Sequence, residues 1–130
     1  MSAKPWQQWL ERAASNLARA KLGKLSKAIL YEDLCFDAQQ CCEKALKGLL
    51  IYLGLTFPRT HSIGHLLALL EQSGKLDIPG EIKDAAILTD YAVTTRYPGD
   101  WEPVDAVEYQ QAVELSGKVY EWVNWIIEQA

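Results

Sequence analysis

Methionine and histidine are scarce in this 130-residue chain, at one and two, and cysteine is little better supplied, at three. The three cysteines, Cys35, Cys41 and Cys42, fall in one apolar-periodic stretch. An odd, clustered set does not make a disulfide framework, and Cys35 and Cys42, one heptad apart, would stand ~10 Å apart along a helix axis. They read as small core residues rather than a metal or redox centre. Long hydrophobic runs are missing too. The opening MSAKPWQQWLERAA lacks the apolar segment a secretory signal needs, and the most apolar stretch, Ala45 to Phe57, is interrupted by Lys47 and too short to span a bilayer. A soluble, cytoplasmic protein with no membrane association is expected. No stretch alternates as a strand does, no repeat is evident, and no segment is low in complexity. Gly48, Gly54, Gly64 and Gly74 are scattered singly, which excludes a phosphate-cradling glycine loop, and no serine has a nucleophile-elbow context.

What is present is an ordinary globular composition, 49% hydrophobic and 23% charged, in a chain sized for one domain over residues 1–130. Folding at this size buries roughly two-thirds of the unfolded surface, so a real core is available. A net charge of −4 argues against indiscriminate nucleic-acid binding, but the charge is unevenly spread. Residues 1–31 carry Lys4, Arg12, Arg19, Lys21, Lys24 and Lys27 against Glu11, whereas residues 100–130 carry seven acids against Lys118. First and last helices lying side by side would account for this, and a basic first helix meeting phosphate is the sharper alternative.

The organising stretch is Asp33–Leu53. At 100° per residue, Leu34, Ala38, Cys41, Ala45, Leu49 and Tyr52 share one side, flanked by Cys35, Cys42, Leu46 and Leu53. Asp33, Asp37, Gln40, Lys44 and Lys47 form a narrow polar stripe, and Phe36 and Leu50 fall outside the main apolar arc, which predicts a second surface covered by another copy of the chain. Pro5 opens an earlier helix with Trp6, Trp9, Leu10, Ala13, Leu17 and Ala20 inward, running to about Gly23 or Lys27. Gly54 caps the central helix, and Thr60 or Ser62 can cap a short one with Ile63, Leu66, Leu67 and Leu70. A fourth helix follows Asp77 and Pro79, its predicted inward stripe being Ile82, Ala85, Ala86, Thr89, Ala92 and Val93, with Arg96 on the same face. Pro103 opens the last, whose predicted apolar positions include Val104, Val107, Val119 and Val123. The fold class is all-α, an antiparallel, up-and-down four-helix bundle with a short additional helix.

His61 and His65, four apart, would share a helix face as a metal pair does, but no third ligand stands at a telling distance, so no metal and no cofactor are expected. The Asp37-Ala38-Gln39-Gln40 … Glu43-Lys44-Ala45-Leu46-Lys47 run, the Phe57-Pro58-Arg59-Thr60-His61 turn and Asp90-Tyr91-Ala92-Val93 … Arg96-Tyr97-Pro98 together resemble a HEPN domain of small prokaryotic proteins, over essentially the whole chain. That resemblance implies a helical domain that usually dimerises, is often encoded beside a minimal nucleotidyltransferase, and in some members cuts RNA without metal while others are proposed to bind nucleotides. RNA-cutting members carry Arg-x4–6-His. Arg96 corresponds to that arginine, but no histidine follows it. The spacing recurs only at Arg59 and His65, in the turn before the third helix rather than at the family's active-site position.

The function expected on this resemblance is a nucleotide- or RNA-binding module, non-catalytic or weakly so, working with a separate nucleotidyltransferase in a toxin–antitoxin-like pair. Its ligand-binding residues would be Arg96, Tyr97, Lys44, Lys47, Arg59 and His61. A metal-independent RNase toxin using His61 or His65 is the alternative, and a purely structural interaction domain the third. A homodimer or higher homo-oligomer is expected. Arg96, inward on its helix, requires a carboxylate or a bound anion, and Asp33, Asp37 and Glu43 are the candidate acids.

Overall fold

The computed structural model describes residues 3–92 and 103–129, which form helices α1 (Pro5–Lys21), α2 (Tyr31–Tyr52), α3 (Ile63–Gln72), a single turn α4 (Gly80–Lys83) that continues as a 3₁₀ stretch over Asp84–Ala92, and α5 (Ala106–Glu128). Strands do not occur among the described residues. The helix directions follow from who meets whom. Trp6 packs edge-on against Tyr52, while Arg19 binds Asp37, so α1 and α2 are antiparallel. Tyr31 stacks on Tyr109 and the Cys41 thiol donates to the Ser116 carbonyl, so α5 runs parallel to α2. Tyr91, at the end of the 3₁₀ stretch, donates to Glu108 near the start of α5, which completes the up-and-down order. The all-α bundle expected from the periodicity is the observed architecture.

Helix α2 is the axis of this bundle. Leu34, Cys35, Ala38, Cys41, Cys42, Ala45, Leu46 and Leu49 are buried as the 100° arc requires, and so is Leu50, which is fully inaccessible. Leu50 therefore lies on no free surface, and the reasoning that assigned it to a partner copy fails. On the same side of α2 the chain's own turn folds over Gln39 and Glu43, as the hydrogen bonds joining both to His61 show, and the 3₁₀ stretch also packs against α2. The polar stripe is covered as well: Asp37 and Lys47 are buried against α1, and only Asp33 is exposed. Gly48 makes that closeness feasible, since a Cβ there would sit 3.2 Å from the Trp6 carbonyl and 3.3 Å from Trp9 Cβ.

Local chemistry sets the ends. Beyond α2, Gly54 takes φ +74°, Leu55 N–H bonds Leu50 O at 2.9 Å and Gly54 N–H bonds Ile51 O, a Schellman cap. Helix α1 stops earlier than Lys27, at Lys21, because Gly23 turns left-handed at φ +68°. Ser62, rather than Thr60, caps α3 through the His65 N–H, and Asp105 caps α5 through Glu108 N–H, so α5 begins after Pro103 rather than at it. The fourth helix departs most from expectation. Its last nine residues wind at three per turn, so the buried positions are Ile82, Ala85 and Leu88, spaced by three, while Ala86 and Thr89 are half-buried. Val107, expected inward on α5, is exposed, and Ala112 and Ser116 are buried alongside Val119 and Val123.

Candidate functional site

Two polar clusters grow from α2. Toward α1, Asp37 Oδ1 accepts from Asn16 Nδ2 at 3.0 Å and from Arg19 Nη2 at 2.6 Å, and Lys44 Nζ donates to Asn16 Oδ1 at 2.8 Å. Burial pushes the Lys44 ammonium pKa down, an effect that Glu43 opposes and Arg12 and Arg19 reinforce. This cluster ties the two helices together.

The second cluster centres on Glu43, whose side chain is 4% exposed. Its Oε1 accepts from His61 Nδ1 at 2.9 Å and from Gln39 Nε2 at 3.1 Å, and its Oε2 accepts from Lys47 Nζ at 3.1 Å. Burial would push the carboxyl pKa up, but the hydrogen bonds from Gln39, His61 and Lys47, with the Lys47 charge, outweigh it and hold the pKa below its ordinary value. The group is a carboxylate. Lys47 is buried in turn, its ammonium 5.6 Å from the Trp9 ring centroid and 5.9 Å from that of Phe57.

His61 is where the cluster reaches water. Its side chain is 74% exposed, so with Nδ1 turned to Glu43 the opposite edge of the ring, carrying Nε2, faces solvent. Its backbone is gripped as well, since Gln39 Nε2 also donates to the His61 carbonyl at 3.2 Å, and Gln40 Nε2 fixes Gln39 by donating to its Oε1 at 2.7 Å. An ionised carboxylate at Nδ1 requires a proton there, which in the neutral ring leaves the lone pair on Nε2. The arrangement can bind an anion, or give a proton from Nε2, when the ring is charged, and can take a proton at Nε2 when the ring is neutral.

Of the residues singled out from sequence, the structure brings Lys47 and His61 together on Glu43. Lys44 is half-buried and belongs to the other cluster, while Arg59 is exposed in the same turn as His61. His61 precedes the cap of α3 and His65 follows it, so the two do not share a helix face. Arg96 and Tyr97 lie outside the described residues. Two of the three acids considered for Arg96 are otherwise engaged, Asp37 by Asn16 and Arg19 and Glu43 by its three donors. Sequence reasoning missed Gln39 and Glu43 as site residues. Part of their signal was present, two polar residues four apart on one side of α2, but the turn's fold over that side is a tertiary fact.

This is a small helical-bundle protein presenting one carboxylate-oriented imidazole at its surface. The HEPN domain family model matches residues 6–126, and the chain belongs to that family. A protein of Methanocaldococcus jannaschii named "Putative toxin MJ1304" is 31% identical over 117 residues, covering 82% of this chain and 75% of the relative. Among solved structures, a protein of Thermus thermophilus is 34% identical with a TM-score of 0.76, covering 94% of this chain and 98% of its own. An archaeal HEPN homologue is 30% identical with a TM-score of 0.73, covering 96% and 99%. A HEPN domain protein of Thermotoga maritima, at 21% identity and a TM-score of 0.59, shares the fold. None of the described helices is long and apolar enough to cross a membrane.

Proposed function

We propose that this protein is a cytoplasmic HEPN module that binds the phosphate of a nucleotide or an RNA strand and acts with a separate minimal nucleotidyltransferase in a toxin–antitoxin-like pair. The observation that carries the phosphate part is the exposed His61 ring held by buried Glu43, with the Arg59 guanidinium two positions upstream in the same turn. The M. jannaschii relative's name supports the toxin-type role. Lys47, committed to Glu43, acts through that carboxylate rather than by direct contact. Homodimerisation belongs to the same reading, although Phe36, half-buried, is what remains of its sequence argument. Titration of the wild-type protein with ATP and with a short RNA tests the proposal. Binding of either, weakening as salt is added, supports it. Failure to bind both leaves a structural interaction domain.

A second reading has its own observation. Glu43 holds His61 as a protein holds a general base, which favours metal-independent RNA cleavage at His61 over His65. Cleavage that disappears in His61→Ala would replace the binding reading with this one.

A further inference from the structure

We propose that Nε2 of His61 is a nucleophilic acceptor of a phosphoryl group, a modification site built by Glu43, Gln39 and Gln40. The inference goes beyond phosphate binding and does not depend on it. A nucleophilic imidazole needs its lone pair on the accessible nitrogen, a fixed ring, and a countercharge for the cation that forms on attack. The geometry supplies each. Glu43 Oε1, 2.9 Å from Nδ1, keeps the proton on that nitrogen. Gln39 holds the His61 carbonyl and Glu43 together, with Gln40 behind it. A side chain 74% exposed leaves the other nitrogen open to a bulky tetrahedral donor.

The step balances with a donor of the phosphoramidate class. The Nε2 lone pair attacks phosphorus, an N–P bond forms, the donor's own P–N bond breaks, and ammonia leaves with the three protons it already carried. The ring retains its Nδ1 proton and gains a positive charge, which lies against the Glu43 carboxylate. Lys47, donating to the other carboxylate oxygen at 3.1 Å, keeps Glu43 ionised so that the proton stays on Nδ1.

The chain contains its own control. His65, the second of two histidines, is exposed four residues away, and its side chain has no hydrogen bond or ion pair among the described residues. Exposure alone would label both. The experiment treats the folded wild-type protein with potassium phosphoramidate at neutral pH and follows each histidine peptide by mass spectrometry. The expected result is an acid-labile phosphoryl adduct that accumulates on His61 ahead of His65, and whose His61 share drops to that of His65 in folded Glu43→Gln. Equal or faster labelling of His65, no labelling, or unchanged His61 labelling in folded Glu43→Gln would overturn the proposal. Should that variant fail to fold, the wild-type comparison of the two histidines decides.

Discussion

Lys47 Nζ and Glu43 Oε2 lie 3.1 Å apart one helical turn from each other, and both side chains are at least nine-tenths buried. Such a pair contributes little net stability, because desolvation of two ions offsets their attraction, yet removing one partner strands the other. Glu43→Ala should therefore destabilise the protein by roughly 3–5 kcal/mol, whereas Lys47→Met, which leaves Glu43 to its two other donors, should cost less. Urea denaturation of both variants checks the order.

The same carboxylate gives stability a pH dependence. Its folded pKa is depressed, so its contribution is complete above the ordinary value of 4.5 and is lost as pH falls through the lower folded value. Melting temperature measured downward from pH 6 should fall in that window, and the fall should be shallower in Glu43→Gln. An identical slope in both proteins would place the acid sensitivity elsewhere.

Two helical glycines make opposite predictions. At Gly48 a methyl group would press within 3.2 Å of the Trp6 carbonyl, a backbone atom that cannot swing aside. Gly48→Ala should be destabilising by ~1–3 kcal/mol through overpacking, despite the gain in helix propensity. Gly117, inside α5, has nothing within 4 Å of the same position. Gly117→Ala should stabilise by about 0.5–1 kcal/mol. Parallel melts of the two variants read both signs.

Burial pushes the Cys41 thiol up to about 12, an effect that Lys21 and Lys44 only partly oppose, and Cys42 is raised as well. Thiolate is the reactive form, so native protein at pH 8 should be nearly inert to a disulfide-exchange reagent and react at all three cysteines once denatured.

How much of this was legible beforehand depended on range. The arc from Leu34 to Leu49 could be read because one helix with one period fixes it, and Gly54 and Ser62 announced helix ends because capping is local. The 3₁₀ winding over Asp84–Ala92 could not be read: a 100° step and a 120° step agree for the first few residues, through Ile82 and Ala85, then diverge at Leu88. Leu50 misled for a related reason, since periodicity shows that a side chain is apolar but not which segment covers it. His61 was picked out as a ligand residue, while Glu43 was considered only as a partner for Arg96. Their pairing depends on a turn eighteen residues away folding over α2, which no local pattern encodes.

The central claim is that Glu43 fixes His61 as the ring with an available Nε2, and that this ring is where phosphate is met. Long-range ¹H–¹⁵N imidazole spectra, recorded during titration with ATP and with a short RNA, test it in the intact protein. The account predicts that neutral His61 shows the Nδ1-protonated pattern and that its Nε2 resonance moves as ligand is added, more than that of His65. A neutral His61 protonated at Nε2, or ligand-dependent shifts at His65 with His61 unmoved, would contradict it.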